Sequence, residues 1–397
     1  MNILHRPLLP GTSIGMIGGG QLGRFFVLEA RRLGYPVWVL DPDPSAPAMQ
    51  LADHPLVAAY DDTEALEQLA RACAAVSIEF ENVPAASLDR IARMTRLAPS
   101  ADAVRVAQSR RAEKLAAEAA GLRPVRWCFL EVSRLAGVEN LADELVKAAE
   151  NTSYPAILKI DRLGYDGKGQ RHIGSREDLT TTLREWQVDC VLEERIELAG
   201  EISVVLARGY DDKVVEFPIA DNVHRNGILH TSTVPSAQPA HLLRQAAEQA
   251  ECLAVHLDYV GVMAVEFFID GAGRLLFNEM APRPHNSGHY TLDATASSQF
   301  EQQLRMLCAL PPAATTLLSP VSMLNLLGDL WLDGSTGQAA IDRPHWQALL
   351  DLPDAHLHLY GKREARAGRK MAHVNILSSS ASTAHSMADA LFESLVR

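Results

Sequence analysis

Two apolar runs, Val262-Met263-Ala264-Val265-Glu266-Phe267-Phe268-Ile269-Asp270 and Leu275-Leu276-Phe277-Asn278-Glu279-Met280, flank the short link Gly271-Ala272-Gly273. Asp270 and the two glycines supply the turn chemistry that joins β-favouring segments, so the stretch predicts an antiparallel hairpin. Each run carries one glutamate inside apolar sequence, Glu266 and Glu279. Adjacent strands can bring such carboxylates close together, where they repel unless a cation lies between them. Mg²⁺ takes hard oxygen ligands and also bridges nucleotide phosphates, and Asn278 offers a further oxygen. The competing structural reading gives each glutamate a nearby arginine instead.

Working toward the N-terminus, the strand Ala156-Ile157-Leu158-Lys159-Ile160 carries a lysine that is expensive to bury unless an anion meets it. Leu163-Gly164-Tyr165-Asp166-Gly167-Lys168-Gly169-Gln170 follows it, a glycine turn able to offer amides to phosphates. No G-x-x-x-x-G-K-[ST] loop is present, so the pair reads as a different phosphate clamp; its bland alternative is an edge-strand lysine reaching to water. Further strands are expected at Cys190 to Glu194, Ile202 to Arg208 and Val214 to Ile219. Helices are expected at Arg176 to Gln187 and Ala240 to His256. This mixture predicts an α+β nucleotide-binding body.

Further upstream, Ser13 to Ile17, the turn Gly18-Gly19-Gly20-Gln21-Leu22-Gly23, a helix over Arg24 to Leu33 and the strand Val37 to Asp41 form a βαβ unit. Ala75 to Phe80 continues it. A small α/β domain with a parallel sheet and helices on both faces is expected, followed by an amphipathic segment from Ala101 to Ala120. The G-x-G-x-x-G spacing, with Asp41 ending the second strand, matches a dinucleotide fingerprint. By itself it marks only a tight turn, and the reading preferred is a turn whose amides meet another ligand.

On the other side of the hairpin, Ala281-Pro282-Arg283-Pro284-His285-Asn286-Ser287-Gly288-His289 is a dense polar run. His285 and His289 have helical zinc spacing, but Pro284 and Gly288 argue against a helix, so a substrate loop is preferred. Pro311, Pro312 and Pro320 mark a boundary. Beyond it, Tyr360 to Lys370 gathers positive charge, either as a solvated face or as a receiver for a phosphate monoester. The boundaries expected are 1–108, 109–312 and 313–397.

The net charge of −12 disfavours nucleic acid and anionic membrane as partners, since both select basic faces. Five cysteines without a C-x-x-C pair indicate neither a disulfide framework nor a zinc knuckle, and no apolar run is long enough to span a bilayer. A cytoplasmic protein is expected.

Taken in order, GGGQLG (Gly18–Gly23), IEFENV (Ile78–Val83), GYDGKGQ (Gly164–Gln170), GVMAVEFF (Gly261–Phe268), NEMAPRPHNSGH (Asn278–His289) and YGK with GRKMAH (Tyr360–His373) resemble the ATP-grasp superfamily. Within it they resemble the N5-carboxyaminoimidazole ribonucleotide synthases. The resemblance covers Gly18 to His373 and implies a pre-ATP-grasp domain, a central ATP-grasp domain and a small C-terminal domain. It implies a homodimer that uses ATP, Mg²⁺ and bicarbonate to carboxylate 5-aminoimidazole ribonucleotide in purine biosynthesis, by way of carboxyphosphate.

The same resemblance gives the residues their roles. Arg110, Lys159, the loop Gly164, Tyr165, Asp166, Gly167, Lys168, Gly169 and Gln170, and Asn278 with Glu279 would hold ATP. Glu193, Glu194, Arg195 and Ile196 would read adenine, Glu201 the ribose, and His224 a further nucleotide position. Glu266 and Glu279 would bind the metal. Tyr165, Asp166, Lys168 and Arg283 would border the reacting groups. Gln21, Glu79, His285, Asn286, Ser287, Lys362 and Arg369 would surround the acceptor, with Glu81 an alternative to Glu79. The tail motif has one residue more than the family pattern, leaving Lys362 or Arg363 for the substrate phosphate, and Ala372 stands where glycine is usual. A formate-dependent glycinamide ribonucleotide transformylase, a non-catalytic nucleotide-binding relative and an NAD-dependent oxidoreductase are the alternatives.

Overall fold

The computed structural model describes residues 6–132, 153–164, 169–333, 344 and 346–396. Its first sheet is built from β1 (Ile14–Ile17), β2 (Val37–Asp41), β3 (His54–Val57), β4 (Ala75–Ile78) and β5 (Arg96–Leu97), in the order β3-β2-β1-β4-β5. All the pairings are parallel. β1 and β4 are buried along their whole length, which is why they read as unbroken apolar runs. Ile14 and Met16 pack with Phe26 and Val27 of α1 (Gln21–Arg32) and with Leu304 and Leu307 of the helix Gln299–Leu307. Ile17 packs with Leu66 and Leu69 of α2 (Thr63–Ala72) and Leu88 and Ile91 of α3 (Ala85–Ala92). Helices therefore cover both faces, as expected. α1 begins at Gln21 rather than at Arg24, directly out of the glycine turn. The exposed edge strand β3 escapes a periodicity reading because it contains His54 and Pro55.

The segment Ala101 to Ala120 is two helices, α4 (Ala101–Ala107) and α5 (Arg110–Ala119). Ser109 makes the break: its Oγ accepts from the Ala112 amide at 3.2 Å, a cap that contributes about 1 kcal/mol. The same hydroxyl donates to Asp161 at 2.9 Å, and Asp161 accepts from the Arg111 amide at 2.9 Å, which docks the start of α5 at the end of β7 (Ala156–Ile160).

β6 (Trp127–Leu130), β7, β8 (Gln170–Ile173) and β9 (Cys190–Glu194) form an antiparallel sheet in the order β6-β9-β7-β8. β7 is interior, which removes the edge-strand reading of Lys159. A larger sheet contains β10 (Leu198–Arg208), β11 (Val214–Glu216), β12 (Ala220–Arg225), β13 (Ile228–Val234), β14 (Gly261–Asp270), β15 (Leu275–Ala281), β16 (Val321–Leu327), β17 (Ala355–Leu359) and β18 (Lys370–Leu377). Its main path runs β15-β14-β10-β12-β13-β16-β18-β17, with β11 on β10. β10 starts earlier than its apolar run, across a bulge at Ala199, and β11 stops before Pro218. The helix Ala240–His256 has the bounds read from sequence, and Arg176–Trp186 ends where Gln187 takes a left-handed φ of 51°. β16 pairs with β13, so strands beyond the proline-rich connection extend the central sheet.

Candidate functional site

A cleft of about 930 Å³ lies between the four-stranded sheet, the nine-stranded sheet and the first domain, reached by residues of all three. The β14–β15 hairpin lines it. Glu266 and Glu279 are directly opposed, and the register then shifts so that Phe267 faces Phe277. Asn278 is the extra residue of this bulge. In a regular strand Asn278 and Glu279 would face opposite sides, whereas the bulge lets both line the cleft.

The pair does not titrate alike. Burial, reinforced by Glu279 and Glu201, pushes the Glu266 carboxyl up, while the partial desolvation of Glu279 in the cleft wall is outweighed by Arg110 and Lys159, which hold it down. Arg110 donates to Glu279 at 3.1 Å, so the arginine partner of the competing reading exists for this glutamate. Among the described residues no arginine forms an ion pair with Glu266; the ring of His285 lies 3.6 Å from its Oε1, and His224 opposes the rise. Glu266 Oε1 and Asn278 Oδ1 are buried without a hydrogen-bond partner. Unsatisfied buried oxygens beside a paired carboxylate are the donor set a hard divalent cation satisfies. Among the described residues no group of three or more His, Cys, Asp or Glu is placed to hold a metal without other ligands, so phosphate oxygens would complete the shell.

Lys159 is buried and its Nζ donates to Glu193 at 2.7 Å. The anion beside it is therefore a side chain of the protein, and burial lowers its proton affinity while Glu193 raises it. Glu194, Arg195, Ile196 and Glu201 line the cleft beside it. His224 lies 2.5 Å from Glu201; burial alone would depress its ring, and Glu201 with Glu266 holds it above the ordinary value. Gly164 and Gln170 line the cleft, and Gly169 turns with φ 72°. Tyr165, Asp166, Gly167 and Lys168 lie outside the described residues.

At the far end, the glycine turn explains itself through Glu79. A Cβ on Gly20 would sit 2.1 Å from Glu79 Oε1, and one on Gly23 would sit 2.6 Å from Oε2. The carboxylate accepts from the Gly23 amide at 2.6 Å, occupying the N-terminus of α1 where a dinucleotide would place its pyrophosphate. Asp41, at the end of β2, accepts from the Gly19 amide and the Tyr60 hydroxyl, each at 2.7 Å. The fingerprint thus serves internal carboxylates. Burial raises Glu79 to about 7, Asp41 adds to the rise, and the Gly23 and Gly20 amides and Lys362 oppose it.

Around Glu79, Lys362 Nζ donates to Gln21 Oε1 at 2.9 Å and to the Lys370 carbonyl at 2.6 Å, and both lysines line the cleft. Arg363 is exposed. Arg369 is not among the lining residues; its guanidinium donates to the Glu364 carbonyl at 2.7 Å on an exposed turn, so the structure does not bring it to the acceptor end. Ser287 is fully buried and lies behind His285, 2.9 Å from its Nδ1, while Asn286 and His285 line the cleft. Arg283 pairs with Glu81 at 2.6 Å, leaving Glu79 as the carboxylate on the glycine turn.

Lys370 was read only as part of the basic run from Tyr360, and Glu113 and Lys114 were not singled out from sequence. Glu113 accepts from the Met280 amide, and Lys114 lies 2.9 Å from Glu193. With Arg110 they occupy positions i, i+3 and i+4 of α5, one helix face, which was the available signal.

This fold and this cleft define an ATP-grasp ligase, and three family models match: a ribonucleotide synthetase preATP-grasp domain over residues 12–108, an ATP-grasp domain over 126–300 and a phosphoribosylaminoimidazole carboxylase C-terminal domain over 321–387. An N5-carboxyaminoimidazole ribonucleotide synthase of Brucella melitensis is 42% identical over 92% of the chain and 96% of that relative. A crystallised N5-carboxyaminoimidazole ribonucleotide synthetase with ADP superposes with a TM-score of 0.87 at 38% identity, covering 99% of this chain and 100% of that one. The Aspergillus clavatus synthase, in complex with ADP and 5-aminoimidazole ribonucleotide, superposes with a TM-score of 0.85 at 30% identity, covering 97% and 98%. The chain belongs to the N5-carboxyaminoimidazole ribonucleotide synthase family. No helix among the described residues is long and apolar enough to cross a membrane.

Proposed function

We propose that the cleft carboxylates the exocyclic amine of 5-aminoimidazole ribonucleotide, consuming ATP and bicarbonate and releasing ADP and phosphate. The observation that carries this is the single cleft joining the Glu266–Glu279 pair to the Gln21–Glu79–Lys362 end. A bicarbonate oxygen attacks the γ-phosphorus, ADP leaves, and the carboxyphosphate formed passes its carboxyl to the amine as phosphate departs. Such transfer depends on positioning and charge neutralisation, which Arg110 and Lys159 supply at the phosphates. Mg²⁺, held by Glu266 and Glu279 with Asn278 beside them, would neutralise phosphate charge. Excluding water from the cleft during the reaction would protect the labile intermediate. Glu194 to Ile196 would read adenine, Glu201 and His224 the nucleoside, and Tyr165, Asp166, Lys168 and Arg283 would border bicarbonate. Gln21, Glu79, His285 and Asn286 would surround the acceptor, with Lys362 at its phosphate. On the family resemblance we read the enzyme as a cytoplasmic homodimer.

With 5-aminoimidazole ribonucleotide, ATP and Mg²⁺, purified protein should release phosphate only when bicarbonate is supplied. Equal ATP turnover with formate and glycinamide ribonucleotide would overturn the acceptor assignment.

Glu79 adds a pH signature. Its carboxyl is protonated below about 7 and ionised above, and the ionised form is the better acceptor for an amine N–H. kcat/KM for the acceptor should rise with pH through a limb near that value, and Glu79→Gln should remove the limb. A limb that survives the substitution assigns it to another group.

A further inference from the structure

Lys114 has 1% of its side chain exposed, lines no part of the cleft, and still meets a charge that already has a partner. Its Nζ lies 2.9 Å from Glu193 Oε1, and Lys159 Nζ lies 2.7 Å from Glu193 Oε2. Glu193 is 3% exposed, so three charges sit together out of water. One lysine neutralises one carboxylate, and replacing a surplus buried ion by a packed apolar side chain is often stabilising. The surplus is positive, and of the two lysines only Lys159 reaches the cleft. Burial alone would raise Glu193, but the two lysines hold it down at about 2, so the anion persists at neutral pH, one carboxylate set between two amino groups.

We propose that Lys114 is a positioning residue for the nucleotide phosphates: it claims one oxygen of Glu193 so that Lys159 keeps positive charge to offer across the cleft. This rests on the ATP reading above. The placement is mechanical as well as electrostatic. α5 reaches β9 of the smaller sheet through Lys114, and β15 of the larger sheet through Arg110 to Glu279 and Glu113 to the Met280 amide. One helix face thereby holds Lys159 and Glu279, on the two sheets that border the cleft, in a shared charge balance.

The test is calorimetric titration of the full chain with ADP and with adenosine, which lacks phosphate. Lys114→Met cancels the surplus charge and should weaken ADP binding about tenfold while leaving adenosine binding unchanged. Adding Glu193→Gln restores the net charge and should bring ADP affinity back to within about threefold of the parent. Equal losses for ADP and adenosine, or a double variant no better than the single, overturns the proposal in favour of a packing role. Should Lys114→Met show no cooperative melting transition, Glu193→Gln alone decides: extra positive charge must tighten ADP, and unchanged or weaker binding rejects the idea. ADP affinity requires neither bicarbonate nor acceptor. Normal ADP binding without bicarbonate-dependent turnover therefore removes the proposed reaction, whereas unchanged binding by Lys114→Met removes only the role of Lys114.

Discussion

Glu279→Gln is expected to lower bicarbonate-dependent phosphate release by on the order of 10³-fold while the protein stays folded. Glu279 has two duties: it faces Glu266 across the hairpin, and it accepts from Arg110 at 3.1 Å. The amide keeps the shape and one acceptor oxygen for Arg110 but removes the charge a divalent cation needs. The side chain is 40% exposed, so the weakened ion pair should cost only about 1 kcal/mol. Phosphate release measured across a Mg²⁺ titration, beside a melting curve, separates the two duties. Turnover at the parental rate would dismiss the metal role of Glu279, and a collapse of the melting transition would make it chiefly an anchor for Arg110.

Lys159→Met should raise KM for ATP by about 30-fold and lower kcat by about 10²-fold. Removing one partner of a buried pair normally costs several kcal/mol because the other charge is stranded. Here Glu193 keeps Lys114 at 2.9 Å, so the melting temperature should fall far less than that rule implies. Steady-state kinetics in ATP, with a thermal melt, reads both outcomes. An unchanged KM would show that Lys159 serves the fold through Glu193 and not the phosphates.

How much of this was legible in the sequence depended on whether a signal was local. The β14–β15 hairpin was, because the turn chemistry and two apolar runs lie within twenty residues or so of each other, and the register opposes Glu266 to Glu279. The bulge at Asn278 was not: whether one residue slips out of a ladder is decided by packing on both faces. The glycine turn was legible as a turn, but its occupant, Glu79, arrives from another strand and only the folded sheet brings it there. Glu113 and Lys114 were not singled out on the amphipathic segment from Ala101 to Ala120, and Arg110 was assigned only through the family resemblance. Their burial follows from the docking of α5 on Asp161, a contact across about fifty residues. Lys362 and Arg363 were indistinguishable as adjacent cations, and the path of the chain after β17 points the first inward and leaves the second exposed.

The pairing of β16 with β13 bears on modularity. Cutting the chain in the proline-rich connection would strip β13 of its outer neighbour and open a row of backbone amides and carbonyls to solvent. Val321 and Met323 would leave a cluster that also holds Val234, Phe217 and Tyr290. The shortened protein would carry a raw sheet edge beside an uncovered apolar patch, the combination that drives self-association. Lys362 and Lys370 belong to the same severed piece, so supplying the tail as a separate polypeptide would require strand complementation before either ammonium regained its place in the cleft. The tail beyond the proline-rich connection therefore cannot be separated from the central sheet it completes, despite the separate family models that describe them.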